Sequence, residues 1–159
     1  MKLLLTACAI TVGLLGAAGA QSTSPPAIKI VSPWARATAG AARDGVAYLT
    51  IANTSSTDDR LVGISTPVAK RTELHESVTA NGVTRMLAID GVALKAGSNV
   101  VLRPGSYMVM LLDLTSPLKV GQTFPMTLSF EKAGQIEIMT KVEKAGAAGP
   151  DEMKGMKMD

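Results

Sequence analysis

The chain has 159 residues, 47% hydrophobic and only 3% aromatic, with 16 basic and 13 acidic side chains and a formal net charge of +3. That length suits one domain with a core of its own. Its basic residues are scattered and interleaved with acids, and its few aromatic rings form no stacking platform, so nucleic acid is excluded as a partner.

Lys2 is followed by Leu3, Leu4, Leu5 and a largely apolar run to Leu15, then by small residues and polar Gln21. A positive start, a short apolar core and Ala18-Gly19-Ala20 predict a secretory signal over residues 1–20, cleaved after Ala20. The run is shorter than the ~20 apolar residues of a transmembrane helix, so no membrane span is expected after cleavage. Lipidation at Leu5-Thr6-Ala7-Cys8 is not expected, because roughly five apolar residues precede that site and a signal core needs about 7–15. The one cysteine, Cys8, leaves with the signal. The mature chain then has no disulfide, no thiolate nucleophile and no thiolate metal ligand. The expected location is the periplasm, where a metal site must use other donors.

Residues 21–27 form a polar, proline-bearing lead-in. Short segments rich in Val, Ile, Leu and Thr follow at 28–31, 45–53, 60–68, 72–79, 83–90, 99–103, 107–114, 123–130 and 136–142, divided by Gly, Pro, Asn, Asp and Ser. No stretch holds a 3.6-residue apolar period over a dozen residues. This spacing predicts an all-β domain over 28–144, a Greek-key sandwich or barrel. Residues 145–150, AGAAGP, read as a flexible linker, and 151–159, DEMKGMKMD, as a Met-rich tail with no apolar partner for a core.

The chain has one histidine and nine methionines. Met153, Met156 and Met158 crowd the tail, and His75, Met86, Met108 and Met110 fall in the β region. Asn81-Gly82 between two strand-like runs predicts a two-residue type I′ hairpin turn. In that register Ala80 faces Val83 and Ser77 faces Met86, which puts His75 and Met86 on one face as diagonal neighbours. Met108 and Met110, two apart on one strand, also share a face; spacing alone does not say whether the two faces meet. Three thioethers and an imidazole make a soft, neutral donor set that suits Cu(I) and holds Mg²⁺ or Ca²⁺ poorly. A blue-copper site needs two histidines and a cysteine, which the mature chain lacks. The competing reading makes the methionines gap-fillers and the histidine structural; Met126 and Met139 are read as core residues on that argument.

At these residues the sequence resembles the periplasmic copper chaperones called PCuAC. Their motif is a histidine, ten residues, a methionine, twenty-one residues, then H-x-M. The spacings of His75, Met86, Met108 and Met110 match it, with Met108 at the place of the second histidine. Ser32-Pro33-Trp34-Ala35-Arg36, the run from Ala47 to Asn53, Glu73-Leu74-His75-Glu76 and the run from Arg103 to Tyr107 are similar to that family's landmarks. The resemblance runs from about Ile28 to Val142. It implies a cupredoxin-like β-barrel or sandwich, with His75, Met86, Met108 and Met110 as copper ligands. It implies a carrier of Cu(I) that passes its ion to an envelope protein, such as the copper subunit of cytochrome c oxidase or another copper chaperone. A thioether in place of an imidazole should favour Cu(I) over Cu(II). Met153, Met156 and Met158 look like the Met part of the extension that many members carry, as possible accessory ligands. An imidazole ligates only when neutral, and its reference pKa is about 6.5, so copper affinity should weaken below that pH.

The alternative is a metal-free β-sandwich interaction module with a degraded copper site. An enzyme is not expected: no Ser/His/Asp arrangement, carboxylate pair or phosphate loop stands out. Asp44, Asp58, Asp59 and Asp113 read as turn or surface residues.

Overall fold

The computed structural model describes residues 27–150. The signal over 1–20, most of the lead-in, and the tail with Met153, Met156 and Met158 lie outside the described residues. Ten strands make up the regular structure: β1 Ile28–Arg36, β2 Gly45–Asn53, β3 Asp59–Ser65, β4 Ala69–Ala80, β5 Val83–Ile89, β6 Val92–Leu94, β7 Asn99–Leu102, β8 Tyr107–Leu114, β9 Thr123–Phe130 and β10 Gly134–Glu143. They hydrogen-bond in the order β5-β4-β8-β7-β2-β1-β10-β9-β3-β6, with β8 also pairing β2. This is the all-β, cupredoxin-like sandwich expected from the sequence. Among the described residues there is no helix long and apolar enough to cross a membrane.

One core fills the wrapped sheet. Ala35, Leu49, Ile51, Leu61, Leu74, Leu94, Leu102, Val109, Leu111, Met126, Leu128 and Val142 all point into it. Alternation then fixes what faces outward. On β2, Ala47, Leu49 and Ile51 go in, so Val46 and Tyr48 go out; on β8, Val109 and Leu111 go in, so Met108 and Met110 go out; on β4, Leu74 goes in, so Glu73 and His75 go out.

The structure corrects four readings. β1 runs on past Ser32-Pro33 to Arg36. Two residues, Ser32 and Pro33, face one, Leu49, between the pairs Val31↔Thr50 and Trp34↔Tyr48. This bulge, with Ser32 at φ 47°, takes up the proline without ending the strand. It also brings Trp34 opposite Tyr48, on the outward face. β6, only three residues long, was too short to show alternation. Met126 is core, fully buried, but Met139 is 56% exposed. Thr140 and Val142 take the inward positions on that strand, so Met139 points out, opposite Pro125. Asp59 is buried, not a surface residue. Its carboxylate accepts backbone N–H bonds from Arg60, Lys132 and Ala133 and fastens the start of β3 to the β9–β10 turn.

Asn53, the first residue of a formal glycosylation sequon, is buried as well. Its amide donates to the carbonyls of Thr57 and Leu94. The segment 145–150 starts as a turn, with Ala147 N–H bonded to the Lys144 carbonyl and the Ala147 carbonyl accepting from Arg36 Nε at 3.0 Å.

Candidate metal centre

The β4–β5 hairpin has the register that the Asn-Gly turn dictates: Ala80 faces Val83 and Ser77 faces Met86. Asn81 and Gly82 adopt φ of 52° and 76°, the two positive values that a type I′ turn requires. On its other side β4 pairs with β8, and there His75 stands directly opposite Met108, with Glu73 opposite Met110. Spacing could not show this, because side-chain parity does not choose which strands become neighbours.

Continuing the registers gives a transverse row of outward side chains. Ala88, His75 and Met108 are paired across β5, β4 and β8, and Tyr48, Trp34 and Lys141 across β2, β1 and β10. Met108, Tyr48 and Trp34 join the two halves in a small second cluster, with Val46, Met110 and Ala147 packed against it. The Trp34 and Tyr48 rings are 4.7 Å apart, and the Arg36 guanidinium lies 5.7 Å from the Tyr48 ring centre. Burial pushes the Tyr48 phenol above its usual pKa, opposed by the Arg36 charge. Although Met108 points away from the main core, this cover leaves it only 3% exposed.

The four candidate ligands therefore share one face but not one distance. His75 is the hub. Met108 faces it at the roughly 4.5–5.5 Å Cα separation of an opposed antiparallel pair. Met86 and Met110 sit on opposite diagonals from it, each about 7–8 Å away. On flat-ladder spacings Met86 and Met110 are then roughly 17 Å apart, too far to share an ion unless the hairpin bends towards β8. Exposure follows the same order: Met108 is buried, His75 and Met110 are half-buried, and Met86 is 60% exposed on a hairpin arm that also exposes Val78, Val83 and Leu87.

The imidazole is held at one nitrogen only. His75 Nε2 lies 2.9 Å from Glu73 Oε2, and the other Glu73 oxygen is 3.4 Å from Arg71 Nη1. His75 Nδ1 is buried with no hydrogen-bond partner. A buried, unpaired ring nitrogen opposite a thioether fits a soft-metal donor set. Among the described residues no three His, Cys, Asp or Glu side chains gather as a hard-ligand site. A groove beside the row, lined by Ser32, Trp34, Leu102, Arg103, Lys144 and Ala147, contains none of the four candidate ligands.

Comparison with known proteins places the chain in a family. The family described as "Putative lipoprotein LpqE-like" matches residues 28–142. Protein RP573 of Rickettsia prowazekii is 33% identical over 120 residues, 73% of this chain and 66% of that protein, so the chain spans just under two thirds of that relative. "Putative lipoprotein Lxx21020" of Leifsonia xyli is 32% identical over 151 residues, 90% of each chain. Among solved structures, the copper-bound PCuAC domain from PmoF2 is 30% identical with a TM-score of 0.65, covering 74% of this chain and 93% of that one. CuI-DR1885 from Deinococcus radiodurans is 30% identical with a TM-score of 0.62, covering 80% and 83%. The chain belongs to the LpqE-like family, and its structural kin are the PCuAC domains.

Proposed function

We propose that this protein is a Cu(I)-binding metallochaperone of the cell envelope, which carries copper and releases it by ligand exchange without catalysing a reaction. The observation that carries the reading is the direct opposition of His75 and Met108, with Met110 packed beside Met108 and a His75 Nδ1 that is buried without a hydrogen-bond partner. Thioethers and a neutral imidazole bind Cu(I) well and leave its charge uncompensated. An ion so held stays exchangeable with an acceptor that brings further soft donors. Solved relatives described as copper-bound and as the CuI form support the cargo and its oxidation state. Relatives named as lipoproteins support an envelope location.

The ligands in this reading are His75, Met108 and Met110, joined by Met86 when the β4–β5 hairpin bends towards β8. Met108 in place of an imidazole makes the site Cu(I)-restricted. Met86, on the exposed arm, is the ligand that an acceptor reaches first. The acceptor is an envelope copper protein, such as the copper subunit of cytochrome c oxidase or another chaperone. Met153, Met156 and Met158 serve as an accessory thioether arm; they follow within eleven residues of Ala147, which is packed against the row, and a short tether raises the local ligand concentration. Deleting 151–159 should slow copper transfer, and unchanged stoichiometry and transfer rate would remove the arm from the account.

The deciding experiment is an anaerobic Cu(I) titration of the mature protein against a chromophoric chelator, beside a His75→Ala/Met110→Ala double variant. Tight binding lost in the variant supports the chaperone. No competitive binding by the wild type refutes it and favours a metal-free interaction module.

A further inference from the structure

The geometry points to Glu73 as a positioning residue that holds His75 as its Nε2–H tautomer, so that Nδ1 is the nitrogen that takes the copper. Arg71, Glu73 and His75 alternate along β4 and therefore stand on one face. An ionised carboxylate only accepts hydrogen bonds, so the 2.9 Å contact between His75 Nε2 and Glu73 Oε2 places the ring proton on Nε2. A neutral imidazole carries one N–H, which leaves Nδ1 with a lone pair. That atom is buried and unpartnered, in a side chain only 19% exposed. A buried acceptor with no donor is a standing cost to the fold. A soft cation supplies the partner that the fold withholds.

The choice of nitrogen sets where the ion sits. Nδ1 is bonded next to the ring carbon that joins the side chain, so it lies nearer the sheet than Nε2. Ligation there keeps copper low, beside the buried Met108 thioether, whereas ligation through Nε2 would lift it outward and require Glu73 to let go. The carboxylate thus fixes the tautomer and the ring orientation, as partners of metal-bound histidines commonly do. Arg71, 3.4 Å from the second Glu73 oxygen, steadies the carboxylate from the far side.

This inference takes its cargo from the copper reading, but the tautomer is a property of the metal-free chain and is measured there. Long-range ¹H–¹⁵N correlation spectra of histidine-labelled protein, recorded above about pH 7.5 where an imidazole is neutral, should show His75 protonated at Nε2 and bare at Nδ1. Glu73→Gln keeps an accepting oxygen and should preserve that tautomer, whereas Glu73→Leu should populate both. The Glu73 side chain is 37% exposed and outside the main core, so both variants should fold, which thermal unfolding checks. Adding Cu(I) should shift Nδ1 and leave the Nε2 proton in place, and Glu73→Leu should lower Cu(I) affinity about 10–100-fold. An Nδ1–H tautomer in the apo wild type, loss of the Nε2 proton on copper addition, or a Glu73→Leu variant unchanged in both readouts would overturn the proposal. A wild type with the expected tautomer that takes up no Cu(I) would overturn the copper reading, and with it the ligating role of Nδ1, while leaving the Glu73–His75 contact established.

Discussion

Met108 has two roles that substitution can separate. It fills the niche under Trp34 and Tyr48 at 3% exposure, and it presents a thioether to His75. Met108→Ala removes most of a buried side chain, a change that costs about 2–5 kcal/mol in closed cores. This niche lies on the outer face under a thin cover, so the lower end applies. With a urea m-value of about 2 kcal/mol/M, a loss of about 2–3 kcal/mol lowers the unfolding midpoint by about 1–1.5 M. Met108→Leu conserves volume and should cost less than about 1.5 kcal/mol, yet it deletes the sulfur. Urea unfolding followed by circular dichroism, beside anaerobic Cu(I) competition, reads both roles. The Leu variant should stay near native stability and lose more than about tenfold in Cu(I) affinity, or about 1.4 kcal/mol; the Ala variant should lose both. A Leu variant with wild-type affinity would take Met108 out of the ligand set. An Ala variant that unfolds at the wild-type midpoint would refute the packing described for the second cluster.

Three further outcomes follow. Gly82 has φ +76° and open space where a Cβ would stand, so Gly82→Ala adds backbone strain alone. The cost of about 1–2 kcal/mol for a left-handed residue should speed amide exchange in the hairpin about 5–30-fold, leaving core strands unchanged. Burial pushes the Asp59 carboxyl up, but N–H bonds from Arg60, Lys132 and Ala133 and the Lys132 charge outweigh it and hold the group below its usual range. Its stabilisation is present above the unfolded Asp pKa of about 3.9 and is lost as pH falls through the lower folded value. Wild type should therefore lose stability below about pH 4, and Asp59→Asn, which removes the charge and replaces one of the two accepting oxygens by an NH2 facing a backbone N–H, should be less stable at neutral pH by about 1.5–3 kcal/mol with a flatter acid limb. Finally, mass spectrometry of the exported protein should find Gln21 as its first residue; a lipid-modified Cys8 would overturn that expectation.

The sequence made the local geometry legible and left the long-range geometry open. Asn81-Gly82 admits essentially one tight hairpin, so the pairing of Ser77 with Met86 followed from turn chemistry before any coordinates. Ser32-Pro33 misled, because the same residues that end a strand also make a bulge, and only pairing to β2 decides between them. Met126 and Met139 look alike in composition, but parity against β9 sends one inward and the other out. The opposition of His75 and Met108 depends on β8 lying beside β4 rather than any other strand. The near-complete burial of an outward Met108 depends on three distant pieces: the bulge, Tyr48 and Ala147.

The bulge in β1 has one more consequence. It sets the chain's single tryptophan, buried at 5% exposure, against Met108. Copper ions quench indole emission at short range, so under the proposed copper reading this tryptophan serves as an optical gauge of occupancy. Loading and hand-over to an acceptor that lacks tryptophan can then be followed as a change in fluorescence on the transfer timescale itself, with no label attached to either molecule.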